Sequence, residues 1–175
     1  MTMPFTSQLI NLFASLILLV AFGMLAQRRI RTLIDLFAFQ GAVLVANTLL
    51  LAWSTGRIHL YWSAGLTLVI KVIVLPVILH RLIARLSMRR DVETLLNTPT
   101  ILLVGIVLAI VAFNLALPIA QLAGTINRAT LGIALASVLL SFLMMITRRK
   151  AVPQVIGFLS MENGLFFAAT SATYG

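Results

Sequence analysis

The chain has 175 residues, 61% of them apolar, and carries 13 Lys and Arg against four Asp and Glu. This composition lies outside the range of ordinary soluble domains. The absence of cysteine excludes disulfides, thiolate metal sites and cysteine nucleophiles. The net charge of +9 would suit a nucleic-acid partner. The basic residues, however, stand in short clusters between apolar runs, which is typical of membrane topology and not of nucleic-acid binding.

Six apolar runs are each long enough to cross a bilayer core of about 30 Å, which needs about 20 residues per helix. The predicted spans are residues 9–26, 32–53, 59–83, 101–122, 129–147 and 152–174. Lipid offers no hydrogen-bond partner to the backbone, so every span is expected to be an α-helix. The sequence therefore predicts an all-α, polytopic bundle of six helices that forms one transmembrane domain over residues 1–175. The first run lacks the basic flank of a signal peptide, which predicts a retained helix.

The basic residues alternate from loop to loop and predict the orientation. One side receives ten of them: Arg28, Arg29, Arg31, Arg81, Arg85, Arg89, Arg90, Arg148, Arg149 and Lys150. The other side has only Arg57 and Arg128. The positive-inside rule puts the basic side in the cytoplasm, so the N-terminus and residue 175 are expected outside.

Residues 84–100 form the only long polar stretch of the sequence. It fits a solvated loop that sets topology. It also fits a short interfacial helix that docks a peripheral partner, because Leu82, Leu86 and Leu96 make a partial apolar stripe. In that second interpretation Arg89 and Glu93 would pair at i,i+4.

Four titratable residues fall within the predicted spans, where a centred charge costs about 2.5–3.5 kcal/mol on insertion scales. At about 1.5 Å of rise per residue, Lys71 and Glu162 both lie near the midplane. Asp35 and His80 lie within about one turn of the basic side. The sequence thus predicts a proton or ion path through Glu162, Lys71, His80 and Asp35. Uncharged polar residues within the bundle would support it: Gln40, Asn47, Asn114 and Asn163.

Each of these residues also has a plainer interpretation. Asp35 follows Arg31 by four residues and fits a local salt bridge, and His80 fits a polar group at the interface. Lys71 and Glu162 would also make a purely structural ion pair, and a Schiff-base role for Lys71 finds no support elsewhere in the chain. The sequence shows no metal site, catalytic triad or nucleotide-binding loop, so it assigns no enzyme chemistry or cofactor to this chain.

Two separated motifs resemble those of one family of membrane subunits. The sixth span runs from Arg148-Arg149-Lys150 through Ile156-Gly157 to Met161-Glu162-Asn163-Gly164, and the third contains Trp62-Ser63-Ala64, Lys71-Val72 and Leu75-Pro76. Both are similar to helices of hydrogenase-4 component E, in the same order. The sixth span is more distantly similar to the K-type subunit of complex I and the C-type subunit of Mrp antiporters. There the acidic position falls on Leu159, one turn before Glu162.

The resemblance implies a subunit of a group 4 membrane-bound hydrogenase or a complex I-like assembly in a prokaryotic cell (inner) membrane. Its partners would be antiporter-like and other membrane subunits. Cytoplasmic redox subunits, holding nickel–iron and iron–sulfur centres, would be indirect partners. This chain would hold no cofactor, would be non-catalytic, and would help couple redox chemistry to proton or sodium movement through Glu162 and Lys71. The family usually continues into a seventh helix. Either a further helix follows Gly175 in a longer protein, or this member is short.

Two other functions stay open on the sequence. A non-conducting scaffold would use the same surfaces only to hold its neighbours. A free-standing small-solute transporter would need broken helices around a midplane site. Pro76 and Pro118 are candidate breaks, but no glycine-rich unwound stretch accompanies them.

Overall fold

The computed structural model of the protein describes residues 5–85, 92–123 and 128–174. Among these residues there is no β-strand, only a single isolated bridge between Thr94 and Arg148. Six of the described helical stretches are long and apolar enough to cross a membrane. The predicted all-α, six-helix architecture is therefore confirmed, and the chain is a multi-pass membrane protein.

Each predicted span lies inside one helical stretch, and the stretches extend a few residues further. They are α1 (Phe5–Ala26), α2 (Ile30–Thr55), a third span made of α3 (Ile58–Thr67), the π-helix π1 (Leu68–Val74) and α4 (Leu75–Arg85), then α5 (Thr98–Ala123), α6 (Arg128–Thr147) and α7 (Ala151–Tyr174). Gly56 ends α2 with a φ of 65°. This left-handed conformation is open to glycine at little cost, which makes glycine the common residue just after a helix.

The helices α1, α2, α6 and α7 form the centre of the bundle, because α1 packs on α2 and α6, and α7 packs on the same two helices. The third span packs on α2, and α5 packs on α6 and α1, so both lie at the periphery. Their outward faces carry exposed apolar side chains such as Ile73, Val77, Leu103 and Ile110. Such faces suit lipid tails or the helices of a neighbouring subunit.

Small residues let the central helices approach closely. A Cβ atom on Gly157 would lie 3.1 Å from the backbone nitrogen of Met145 and 3.2 Å from the carbonyl oxygen of Ser141. A larger side chain there would push α7 away from α6. Association of helices in a membrane depends on van der Waals contact, so this approach supports the α6–α7 pair directly.

Residues 92–97, which we call the strap, cross the basic end of the bundle without forming a helix. The amide of Val92 donates to the carbonyl of Arg28 at 2.7 Å, and the amide of Leu95 donates to that of Thr147 at 2.9 Å. Glu93 pairs with Lys150 at 3.1 Å. Since backbone donors are used in these contacts, the interfacial-helix interpretation is wrong for the strap. Residues 86–91, which include Leu86 and Arg89, lie outside the described residues.

Arg148 is a buried cation at the same end, with only 2% of its surface exposed. Its guanidinium donates to the carbonyls of Met24 at 3.1 Å and Leu25 at 2.9 Å, which are the last turn of α1. The C-terminal carbonyls of a helix lack intrahelical partners and carry the negative end of its dipole. Arg148 therefore joins α6 to α1. Together with the strap it shows that the three basic segments meet at one end, and the side of the membrane that this end faces stays a prediction.

Candidate functional site

Lys71 lies in the π-helix π1, in the middle of the third span. The amide of Leu75 bonds to the carbonyl of Ile70, five residues back. Pro76 has no N–H to donate to the carbonyl of Val72, and its ring crowds that carbonyl, so a regular α-helix cannot continue through this point. π-Helical turns inside helices occur often at functional sites.

The helix α2 approaches Lys71 closely through Gly41. A Cβ atom on Gly41 would lie 3.3 Å from Cγ2 of Val72 and 3.7 Å from Cβ of Lys71. The absence of a side chain at residue 41 lets the widened helix sit against α2. From this position the side chain of Lys71 passes α2 and reaches α7.

Lys71 and Glu162, which the sequence places at the same depth, are in contact. The Lys71 ammonium lies 3.1 Å from Oε1 of Glu162 and donates to Oδ1 of Asn163 at 2.9 Å. The side chain of Lys71 is 10% exposed, whereas that of Glu162 is 52% exposed. The pair therefore has one member inside the bundle and one on its lateral surface.

A chain of uncharged polar groups continues from Lys71 into the bundle. Asn163 donates through Nδ2 to Oε1 of Gln40 at 3.2 Å, and Ser160 donates to the same oxygen at 2.8 Å. The Ser160 hydroxyl also lies 2.8 Å from that of Ser141. Because Ser160 gives its proton to Gln40, Ser141 is the donor in that last bond. These contacts link the third span to α2, α6 and α7.

Asp35 and His80 form a second pair, separate from the first. Nε2 of His80 lies 3.5 Å from Oδ1 of Asp35, and Nδ1 lies 2.9 Å from the carbonyl oxygen of Pro76. The prediction of a salt bridge between Asp35 and Arg31 is wrong, since among the described ion pairs the partner of Asp35 is His80. Both of these partners of the imidazole are acceptors, so it can donate to both only when both ring nitrogens carry protons. His80 follows Lys71 by nine residues, about 13 Å along a helix.

The other amides expected to support the path differ in their surroundings. Asn114 is exposed on α5 and donates to the carbonyl of Ile110 in its own helix at 2.9 Å, so it takes no part in the chain from Lys71. Asn47 is fully buried in α2. Among the described residues, neither polar atom of its amide has a hydrogen-bond partner, and neither does Nε2 of Gln40.

A lateral cavity of about 230 Å³ lies beside the Lys71–Glu162 pair. Its remaining lining comes from Ser63, Leu66, Thr67, Ile70 and Phe166. Two hydroxyl residues and an ion pair lining one cavity are unusual for a surface that faces only lipid tails, because hydrocarbon offers polar groups no hydrogen-bond partner. This wall suits polar contact with another molecule. Across the described ranges, three or more His, Asp or Glu side chains nowhere come together as a candidate metal centre.

Sequence reasoning missed Ser141, Ser160 and the burial of Arg148. Serine is equally common as a small packing residue in membrane helices, so its type alone does not indicate a polar chain. Ser160 does precede Asn163 by three residues on one helix, and such residues share a face. Arg148 stands in a basic cluster with Arg149 and Lys150, and only the turn between α6 and α7 decides which of them points inward.

The fold and the site define a multi-pass membrane protein with an ion pair held between two of its spans. Comparison with known proteins identifies a relative of the chain. The chain is 31% identical over 170 residues to the Mycobacterium tuberculosis protein named "Uncharacterized protein Rv0085". The match covers 97% of this chain and 77% of that protein, so the chain belongs to the same family. No protein-family model matches the chain, and no solved structure matches it significantly.

Proposed function

We propose that the protein is a membrane subunit of a group 4 hydrogenase or a complex I-like assembly in a prokaryotic cell membrane. In this proposal it helps couple redox chemistry in partner subunits to proton or sodium translocation. The observation that carries the proposal is the contact between Lys71 and Glu162 in mid-span. The two motifs that resemble hydrogenase-4 component E contribute one residue each to this pair. A shared site for two separated motifs supports a common role for them.

The pair has the chemistry that an ion-coupling site needs. While Glu162 is charged it balances Lys71, and a proton arriving on Glu162 removes that balance. The charge of Lys71 must then be met by Asn163 alone, and through Asn163 the change reaches Gln40. A carboxyl whose charge state alters a hydrogen-bonded chain is an element that a remote event can bias. Leu159 lies one turn before Glu162, at the position of the acidic residue in the distantly similar subunits. It packs against the apolar core and has no group that can carry a charge.

The exposure of Glu162 supports membership in a larger complex. A carboxylate half exposed to hydrocarbon is costly, and a neighbouring membrane subunit would cover it. We propose antiporter-like and other membrane subunits as these neighbours. Nickel–iron and iron–sulfur centres would lie in cytoplasmic subunits, and this chain would supply no cofactor. A free-standing transporter would leave the same carboxylate facing lipid.

The test is Glu162→Gln in the native complex, purified and reconstituted into vesicles. Glutamine keeps the shape and part of the hydrogen bonding but cannot titrate. We expect an assembled complex whose electron transfer is measurable and whose ion translocation falls about a hundredfold or more, as for loss of one general acid or base. Glu93→Gln is the matched control, because Glu93 lies in the strap and pairs with Lys150.

The scaffold alternative predicts the opposite pattern. Glu162→Gln would then impair assembly, and whatever complex survived would translocate ions normally. Normal translocation in a fully assembled Glu162→Gln complex ends the coupling proposal. A chain that purifies from its native membrane without hydrogenase-type or antiporter-like subunits ends the proposed complex.

A further inference from the structure

The buried amides of Gln40 and Asn47 have hydrogen-bonding capacity that the described residues leave unused. Both side chains are fully buried in α2. Gln40 is held by Ser160 and Asn163, which both donate to its oxygen, so its orientation is fixed with the NH₂ group facing elsewhere. That NH₂ group and both polar atoms of the Asn47 amide find no hydrogen-bond partner in the part of the chain that the structure describes. Orphan polar groups of this kind are rare in native structures, since each costs the full free energy of its desolvation.

The two amides lie on one face of α2, because residues seven apart in a helix differ by about two turns. Gln40 presents this face to α7. Asn47 therefore lies about 10.5 Å further toward the end opposite the strap. The side chains between these levels are apolar ones such as Val43 and Leu44, which pack with Phe167 of α7.

Buried hydroxyls extend the same line toward that opposite end. Ser160 and Ser141 touch each other, on helices that run in opposite directions. Ser171 of α7 and Thr130 of α6 each lie eleven residues beyond this contact, which is about 16.5 Å along either helix. Both are at most 4% exposed. The central helices thus carry a file of buried polar groups from the level of Lys71 toward the far end.

Water is the ligand whose chemistry matches the orphan groups. The free atoms are two donors and one acceptor, and a water molecule accepts from amide NH₂ groups and donates to an amide oxygen. A metal cation would need several oxygens and finds only one free. Buried waters normally make about three hydrogen bonds to otherwise unsatisfied groups. Because packed apolar side chains separate the two levels, each amide would hold its own water.

We propose that Gln40 and Asn47 bind buried water molecules at two levels of the bundle, which extend the polar chain from Lys71 toward the end opposite the strap. As water sites these two levels stand on the orphan amides alone. As stations on the route by which a proton leaves or reaches the Lys71–Glu162 pair, they rest on the proposed function. In that role Gln40 and Asn47 are positioning residues, since they hold the waters and transfer no proton themselves.

The direct test is a structure of the purified protein, in its native complex, at a resolution that shows ordered water. We expect water density within hydrogen-bonding distance of Nε2 of Gln40 and of both polar atoms of Asn47. Clear side-chain density with no water beside it overturns the proposal. An Asn47 amide turned onto a backbone carbonyl overturns it equally, because the orphan groups would then be satisfied without water.

The second test is Asn47→Leu, which keeps the branched shape and the number of side-chain heavy atoms and removes the amide. We expect the complex to assemble and proton translocation to fall at least about tenfold, the factor that one ordinary hydrogen bond lost from the rate-limiting step gives. Thr48→Val is the matched control. Thr48 is the next residue and also buried, but its hydroxyl bonds to the carbonyl of Leu44 in its own helix, so its loss should leave the rate unchanged.

The melting temperature separates a hydrated amide from a dry one. A dry orphan amide destabilises the fold, so Asn47→Leu would raise the melting temperature by about 2–4 °C or more as the desolvation penalty is removed. A hydrated amide predicts no rise, and a clear rise overturns the proposal. If neither the wild type nor Glu162→Gln translocates protons, the proposed function fails. The water density and the melting temperature then still decide whether the water site exists.

Discussion

Two buried cations of this bundle, Lys71 and Arg148, have partners of different kinds. Lys71 in the third span faces a carboxylate and an amide, and the carboxylate is half exposed. Arg148, between α6 and α7, donates to two backbone carbonyls of α1, and among the described ion pairs none joins it to a carboxylate. The ammonium of Lys71 thus faces a side-chain carboxylate, whereas the partners of Arg148 are backbone carbonyls, which do not titrate.

The difference separates the chemistry of the protein from its architecture. Burial lowers the pKa of Arg148 to about 10, which still leaves it charged at physiological pH. A permanent cation at the negative end of the α1 dipole is suited to fixing helix positions. A lysine beside a surface carboxylate is suited to a response. We therefore expect substitutions at Arg148 to change stability, and substitutions at Lys71 and Glu162 to change function.

The largest expected effect on stability is that of Arg148→Leu. It leaves the carbonyls of Met24 and Leu25 without their donors, and hydrogen bonds to a charged group are worth about 1.5–3 kcal/mol each. We expect a loss of about 2–4 kcal/mol in the free energy of unfolding, measured by thermal or denaturant unfolding in detergent. Arg149→Leu is the matched control, because Arg149 is the next residue and is exposed. Equal losses for the two variants would contradict the role of Arg148.

The effect of Lys71→Met on stability should be smaller. It leaves Glu162 without its cation, but Glu162 is half exposed and can take up a proton. We expect a loss of about 1–2 kcal/mol, below the 3–5 kcal/mol typical of breaking a fully buried pair. Adding Glu162→Gln to Lys71→Met should recover part of this loss, because no carboxylate is then stranded. A double variant whose loss equals the sum of the two single losses would show that the two residues do not interact as a pair.

The architecture follows from the sequence more directly than the site does. Apolar length and the lack of lipid partners for the backbone fix six helices, and residue counts put Lys71 and Glu162 at one depth. The expected partner of Asp35 was wrong because the i,i+4 rule describes an isolated helix, and here His80 of the neighbouring span competes with Arg31. Pro76 indicates a break in the third span, but the π-helix that turns Lys71 toward α7 depends on packing against Gly41.

The basic end shows a second limit of sequence reasoning. The charge pattern predicts that Arg148, Arg149 and Lys150 lie in one loop, and they do. It treats the three as equivalent, however, because a count of charges sets topology without reference to side-chain direction. In the structure Arg148 is buried, Arg149 is exposed, and Lys150 forms an ion pair with Glu93. The path of the turn between α6 and α7, held by hydrogen bonds to the strap, decides which of the three side chains is buried.

A smaller effect is expected for Glu93→Gln, which tests whether Arg148 depends on a carboxylate further away. Glu93 is the acidic residue described at the basic end outside the spans, and its side chain is 56% exposed in its pair with Lys150. Exposed pairs of this kind contribute about 0.2–1 kcal/mol. We expect a change within that range in unfolding experiments. A loss as large as that of Arg148→Leu, and absent when Arg148 is already replaced by leucine, would mean that Glu93 is the counter-ion of Arg148, and the contrast with Lys71 would fail.

The smallest expected effect is that of pH on the contribution of Arg148. A base whose pKa is lower in the folded state than in the unfolded state releases its proton more readily when folded. Stability therefore rises with pH only between the two pKa values, from about 10 up to the ordinary pKa of arginine, as burial of the charge ceases to matter. Below that window both states hold the proton. The difference in unfolding free energy between the wild type and Arg148→Leu should thus stay constant from about pH 6 to pH 9. A difference that changes across this range would mean that Arg148 is coupled to a titrating partner, and it would then resemble Lys71 rather than oppose it.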